Sequence, residues 1–322
     1  FMMGGALGYR VPPTGWKPEG WTPPPATTSN AMITQRHVHV KNAFKIPQFW
    51  LVWMVLCMNV SAGIGVIGMA SPMLQEIFGG SLIGVTGELT PENKTAIAGI
   101  AAGFAALLSL FNIGGRFFWA SISDKLGRKL TYTVFFILGG LCYFSVPSSA
   151  LAHNVFLFVA AICIILSMYG GGFATVPAYL ADLFGTQMVG AIHGRLLTAW
   201  ATAGILGPVV VNYMRDYQLS IGIPKDQVYN QTMYILVGML VIGLICNWLV
   251  KPIADKWFMS DAELAEEKRL AHEKAAASEV GGASSDTHKT SSLTVYLAWA
   301  AVGIPLAWGV YRTLIVVGKF FN

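Results

Sequence analysis

An arginine at position 116, an asparagine one helical turn before it, and two aromatic rings four residues apart at Tyr169 and Phe173 are the side chains of this 322-residue sequence suited to holding a small anion. Arg116 lies inside an apolar run from Ala96 to Ile122. A cation at the centre of a membrane helix costs about 2.5–3.5 kcal/mol on insertion scales, so it ordinarily faces a cavity or a partner and marks a solute route. Arg116 precedes Asp124 by eight residues, which at a rise of about 1.5 Å each sets it about 12 Å inside the end of the run. That depth is near the midplane, where carriers built from two helix bundles hold their solutes. The competing reading is a structural arginine that caps carbonyls or snorkels to the inner surface.

Asn112 shares a helix face with Arg116 and has the donors and acceptor to hold either the guanidinium or a solute. Helix packing is an equal explanation for it. Tyr169 and Phe173 fall within Tyr169-Gly170-Gly171-Gly172-Phe173-Ala174-Thr175-Val176-Pro177. Three glycines and a proline make a helix that bends and accepts a close neighbour, while the two rings share one face. An aromatic wall excludes water and strengthens the pairing of an anion with Arg116. Rings at this spacing are also common in ordinary cores.

The elements that must position these residues follow from composition. Hydrophobic residues make up 54% of the chain and charged residues 11%. The apolar stretches are Pro47 to Met73, Ala96 to Ile122, Leu130 to Val146, Val155 to Leu180, Ile192 to Tyr213, Thr232 to Val250 and Leu293 to Gly318. Several exceed the ~20 residues a helix needs to cross about 30 Å of hydrocarbon. They lack the alternation of lipid-facing strands, so an all-α, polytopic membrane protein with seven spans is predicted. With the first 46 residues inside, fifteen of the 21 Lys and Arg fall in inside segments and four outside, leaving Arg116 and Arg312 within spans. The bias sets the topology. The net charge of +5 is thereby a membrane feature, with no nucleic-acid partner implied and anionic lipid the natural neighbour of the basic clusters.

Residues 1–9 read as the end of a preceding transmembrane helix, and the chain as the later part of a longer one. The proline-rich stretch 10–46 reads as an extended, weakly packed cytoplasmic linker. A six-helix block spans 47–251. Residues 252–292 form a cytoplasmic helix and tether, the helix opening on a capping box at Ser260-Asp261-Ala262-Glu263 and running to about Ala277, the tether centred on Gly281 to Ser285. An appended span, 293–318, carries Arg312. Cys57, Cys142, Cys163 and Cys246 lie within spans without metal-ligand spacing, so no metal or cofactor is expected and they read as small core residues. No triad, metal cluster or phosphate loop points to an enzyme.

The turn Ala120-Ser121-Ile122-Ser123-Asp124-Lys125-Leu126-Gly127-Arg128-Lys129 resembles the loop signature of the major facilitator superfamily, Gly-x-x-x-Asp-x-x-Gly-Arg-Lys/Arg, with Ala120 in place of the first glycine. The resemblance implies that Asp124, Gly127, Arg128 and Lys129 latch the cytoplasmic side. Gly115-Arg116-Phe117-Phe118, the Pro12 to Trp21 linker and Phe173 to Pro177 are similar to the oxalate/formate antiporter family over roughly residues 1–252. That likeness implies the second half of a twelve-helix carrier, the amino-terminal six-helix half being its missing partner, with Arg116 pairing a substrate carboxylate. Dicarboxylate-carrying relatives place a lysine in a Thr-Ala-Lys context where this chain reads Thr198-Ala199-Trp200. One cation fits one carboxylate, so Trp200 points to a monocarboxylate of the formate, lactate or pyruvate type.

Glu76, Asp124, Asp182 and Asp216 lie at or beyond expected helix ends, His153 in an outside turn and His193 at the cytoplasmic mouth. A proton relay uses buried acids or histidines, so anion exchange is favoured over proton symport. The expected protein is a secondary carrier of small carboxylates in a bacterial cytoplasmic membrane. Arg116 is the anchor and Asn112, Tyr169, Phe173 and Trp200 surround it. The rivals are a proton-coupled symporter and a non-transporting membrane sensor on the same fold.

Overall fold

The computed structural model describes residues 19–20 and 32–280 and twelve positions between 293 and 311. The chain divides into two compact units, Phe1–Met259 and Ser260–Asn322. In the first, the helices are α1 (Pro47–Ile67), α2 (Ala70–Phe78), α3 (Pro91–Leu126), α4 (Arg128–Leu151), α5 (Val155–Phe184), α6 (Val189–Leu196), α7 (Thr198–Ser220) and α8 (Asn230–Leu249). Short 3-10 turns and one antiparallel bridge, Val38 with Phe258, complete its regular structure among the described residues. Among the described residues six helices are long and apolar enough to cross a bilayer: α1, α3, α4, α5, the α6–α7 pair and α8. The all-α polytopic class stands.

Local chemistry sets the helix ends. Proline opens α1 at Pro47 and α3 at Pro91, where its missing N–H has no intrahelical partner in any case. Thr90 caps α3 by accepting from the Asn93 N–H at 3.3 Å, and Asn154 caps α5 by accepting from the Leu157 N–H at 3.0 Å. Gly127 separates α3 from α4 at φ +85°, a left-handed conformation that strains any residue with a Cβ. Two expected spans are each split. Pro47 to Met73 breaks at Gly68–Met69, so that α2 starts as a separate helix, and Ile192 to Tyr213 breaks at Leu197. Apolar runs are blind to such breaks, because hydropathy continues across them.

The centre of the first unit is α1 and α5, whose apolar windows are 67% and 61% buried against 22% for α3. The broadest pairings are α3 with α5, α1 with α7 and α4 with α8. At the first of these the backbones nearly touch. A Cβ on Gly115 would collide with the Ser167 backbone, and one on Gly170 with the Asn112 carbonyl. The glycine run therefore serves close helix approach, as its composition implied. Gly115→Ala is expected to cost about 1–3 kcal/mol by overpacking, read as a lower melting temperature in detergent. An unchanged melting temperature would mean that the two helices separate freely.

The 32–46 portion of the linker is not weakly packed. Val38, Ala43 and Ile46 are fully buried. The Thr34 N–H donates to the Asp182 carbonyl at 2.8 Å, the Val38 N–H to the Phe184 carbonyl at 2.9 Å and the Met259 N–H to the His37 carbonyl at 2.8 Å. Exposed carbonyls at the end of α5 recruit the passing chain, which composition alone does not register. The 1–9 stub, most of 10–31, the Gly281 to Ser285 tether and Arg312 lie outside the described residues. The described positions from 293 to 311 are helical, but the expected seventh span is otherwise undescribed.

In the second unit the expected helix is α9 (Asp261–Val280). Its capping box is formed. The Glu263 carboxylate accepts from the Ser260 N–H at 2.8 Å, while the Ser260 hydroxyl accepts from the Glu263 N–H at 3.3 Å.

Candidate functional site

Arg116 projects from α3 and is exposed within this chain. Its guanidinium carbon lies 5.5 Å from the Phe173 ring centroid on α5, and its charge reaches Tyr169 one turn earlier. Trp200 closes the group from α7, with its ring centroid 4.6 Å from Phe173 and 5.9 Å from Tyr169. Thr198, two residues before it, accepts from the Trp53 indole N–H of α1 at 2.9 Å, which fixes the start of α7 beside the cluster. Four of the five residues singled out for an anion site thus meet across three helices. Such an arrangement offers one cation and an aromatic wall.

Arg116 differs from every other described arginine. Arg36 donates to Asp255, Arg128 to Asp124 and Ser123, Arg195 to the Val40 carbonyl, Arg215 to Glu76 and Arg269 to Glu266 and Glu273. Among the described residues Arg116 has no oxygen partner, only the ring face of Phe173. A cation held over an aromatic face gains about 0.5–1 kcal/mol where exposed. It therefore stays available to an incoming acceptor.

Asn112 takes another position. No hydrogen bond joins it to Arg116, and its carbonyl lies against Gly170 in the α3–α5 contact. Its side chain also borders a cavity of about 200 Å³ lined by Ile67, Ala105, Leu108, Ser109 and Leu166. Both its carbonyl and its side-chain amide oxygen face Gly170, so helix packing accounts for it.

The basic turn forms a network at the other end of α3. Arg128 pairs with Asp124 at 2.5 Å, donates to the Ser123 hydroxyl, and lies 3.6 Å from Asp182 on α5. Lys129 donates to the Trp248 and Val250 carbonyls at 3.0 and 2.7 Å, covering the C-terminus of α8. Gly127 provides the corner. A cavity of about 460 Å³ borders Asp124, Arg128, Lys129, Asp182 and Trp248. Sequence reading missed Asp182 as a member. Its signal was there: an acid in the last turn of a helix opposes the helix dipole and requires a cation.

The sequence profile described as Major Facilitator Superfamily matches residues 2–208. The chain belongs to the major facilitator superfamily. Members of this superfamily are transporters, not enzymes, and the six crossing helices make the chain an integral membrane protein. It is 29% identical over 176 residues to the oxalate:formate antiporter of Oxalobacter formigenes, covering 55% of this chain and 38% of that protein. It is 32% identical over 162 residues to the uncharacterized MFS-type transporter YdeG of Bacillus subtilis (strain 168), covering 47% and 36%. The chain therefore spans less than half the length of either relative.

Proposed function

We propose that this chain is the carboxy-terminal half of a secondary carrier that exchanges small monocarboxylates by alternating access across a bacterial cytoplasmic membrane. The observation that carries the proposal is the unpaired guanidinium of Arg116 beside the Phe173, Tyr169 and Trp200 rings. A carboxylate matches its planar fork, and charge-assisted hydrogen bonds of that kind are about twice as strong as neutral ones. The rings keep the local dielectric low, which raises the value of the pair. With Trp200 in the wall, the cluster holds a single positive charge, enough for a formate-, lactate- or pyruvate-like anion. Similarity to the oxalate:formate antiporter supports carboxylate exchange as the class. The missing partner is a second six-helix half, against which the exposed Arg116 side of α3 would close.

The test is exchange in proteoliposomes holding the intact carrier. Preloaded formate or lactate is expected to accelerate uptake of labelled monocarboxylate, and collapse of the proton gradient to leave the rate unchanged. Flux that vanishes with the gradient would favour symport, and absence of flux for any carboxylate would favour a sensor. Arg128 tests the latch. Arg128→Ala removes the partner of both Asp124 and Asp182 and is expected to slow exchange roughly tenfold while anion binding persists, since it breaks a partly buried charge network remote from the anchor. Equal losses in binding and flux would remove Arg128 from gating.

A further inference from the structure

Phe173, the ring beneath Arg116, stands on the stretch of α5 that its own residues constrain least. Gly170, Gly171 and Gly172 precede it and supply no side chain to hold the backbone. Pro177 follows it by four residues and has no N–H for the Phe173 carbonyl, so one rung of the helix ladder is missing at the same place. A ring on such a stretch takes its direction from what grips the backbone from outside. One grip comes from α4, where the Tyr132 hydroxyl donates to the Gly172 carbonyl at 2.5 Å. Thr175, on α5 itself, lies 3.3 Å from the same carbonyl, but its single proton is closer to the Gly171 carbonyl at 3.0 Å. Tyr132 therefore ties Gly172 to a neighbouring helix.

Tyr132 has little freedom of its own. It is fully buried, its ring meets Phe135 edge-on at 5.3 Å and lies 5.8 Å from Tyr179. Phe135 in turn lies 5.0 Å from Trp119 of α3, whose side chain fills the space a Cβ on Gly171 would need. From α1, the Asn59 amide nitrogen occupies the space a Cβ on Gly172 would need, and it has no hydrogen-bond partner there. Gly172 thus meets α1 through packing and α4 through a directed bond. The bond adds an angular preference that packing lacks, and so fixes the rotation of α5 at this turn. Phe173 is the next residue, with the Arg116 guanidinium 5.5 Å and the Trp200 ring 4.6 Å from its centroid.

We propose that Tyr132 is a positioning residue for the anion site: its hydroxyl, acting through the Gly172 carbonyl, holds Phe173 where the ring faces Arg116 and Trp200. The idea rests on the carrier reading for what the site binds, but its first test needs no substrate. 4-Fluorophenylalanine replaces Phe173 in the intact carrier, and its fluorine resonance is recorded with and without Tyr132→Phe, which deletes one hydroxyl and keeps the ring. Tyr143→Phe is the matched control, because it deletes an equally buried α4 hydroxyl that donates at 2.7 Å to the Ala62 carbonyl on α1. Tyr132→Phe is expected to split or broaden the resonance, and Tyr132→4-aminophenylalanine, which restores a donor, to return it. Tyr143→Phe is expected to leave the resonance as it was while lowering the melting temperature by a similar amount. The Kd for formate and lactate is expected to rise roughly tenfold in Tyr132→Phe alone, the scale of one hydrogen bond. Should Tyr132→Phe fail to insert, 4-aminophenylalanine and 4-methylphenylalanine at the same position give the comparison, being of like size with and without a donor. A resonance unmoved by loss of the donor, or moved equally by Tyr143→Phe, makes the hydroxyl a general brace and overturns the proposal. A resonance that responds in a carrier binding no carboxylate supports the positioning role and counts against the carrier reading alone.

Discussion

Arg116→Gln is expected to abolish carboxylate binding by the intact carrier while the protein inserts and folds normally. Folding is spared because the guanidinium has no oxygen partner among the described residues, so its removal strands no protein carboxylate. Binding is not spared, because the anion would then enter a ring-lined space with its charge unmatched. Losing a charge-assisted hydrogen bond costs about 1.5–3 kcal/mol, which is roughly tenfold to a hundredfold in Kd at about 1.4 kcal/mol per factor of ten. Arg116→Lys is expected to recover part of the loss, since it restores the charge without the planar two-pronged geometry. The measurement is the shift in melting temperature on addition of formate, lactate or oxalate. A shift in the Gln variant equal to that of the unaltered carrier would reject Arg116 as anchor.

The contrast between Arg116 and Arg215 shows what the sequence exposes and what it hides. Arg116 announces itself because a cation inside an apolar run is costly and so demands a reason. Arg215 lies at the polar end of its helix, where a charge is unremarkable, and its importance depends on Glu76 and Tyr229 arriving from 139 residues before it and 14 after it. Pairing at that separation leaves no local pattern. The 32–46 segment was hidden for the same reason, being defined by contacts between distant parts of the chain. Helix existence was legible because an apolar run of bilayer length has few other solutions. Helix interruption was not: the chain leaves regular helix at Gly68–Met69 and turns at Leu197, which keeps its N–H bonded to the His193 carbonyl, all within unbroken hydropathy. Tyr169, Phe173 and Trp200 lie between these cases. Their helical spacing was readable, but only the fold brings α7 against α5 and turns three ordinary apolar positions into one wall.

Trp200→Lys is expected to change which anions the carrier prefers. Trp200 stands two residues after Thr198, whose hydroxyl is tied to Trp53, so a side chain at 200 starts from a fixed backbone position against Phe173 and Tyr169. A lysine there adds a second positive charge to the space that Arg116 faces. For a dicarboxylate such as oxalate the second charge meets a second carboxylate, and each charge-assisted contact contributes about 1.5–3 kcal/mol. For a monocarboxylate the new ammonium has no counter-ion in either the empty or the loaded state, and desolvating it is unfavourable. Its release of a proton would relieve that cost, so the gain for oxalate should be largest where the lysine remains charged. The ring contacts of the wall are lost at the same time, which weakens monocarboxylate recognition further. The experiment is competition by formate, lactate and oxalate against a labelled substrate, with unaltered and variant intact carriers reconstituted in parallel. The unaltered carrier is expected to rank the monocarboxylates first and the variant to move oxalate up by about tenfold or more, the equivalent of one charge-assisted contact. If the unaltered carrier already prefers oxalate, or the lysine variant keeps the same order despite normal insertion, Trp200 is packing only and the single-carboxylate reading fails with it.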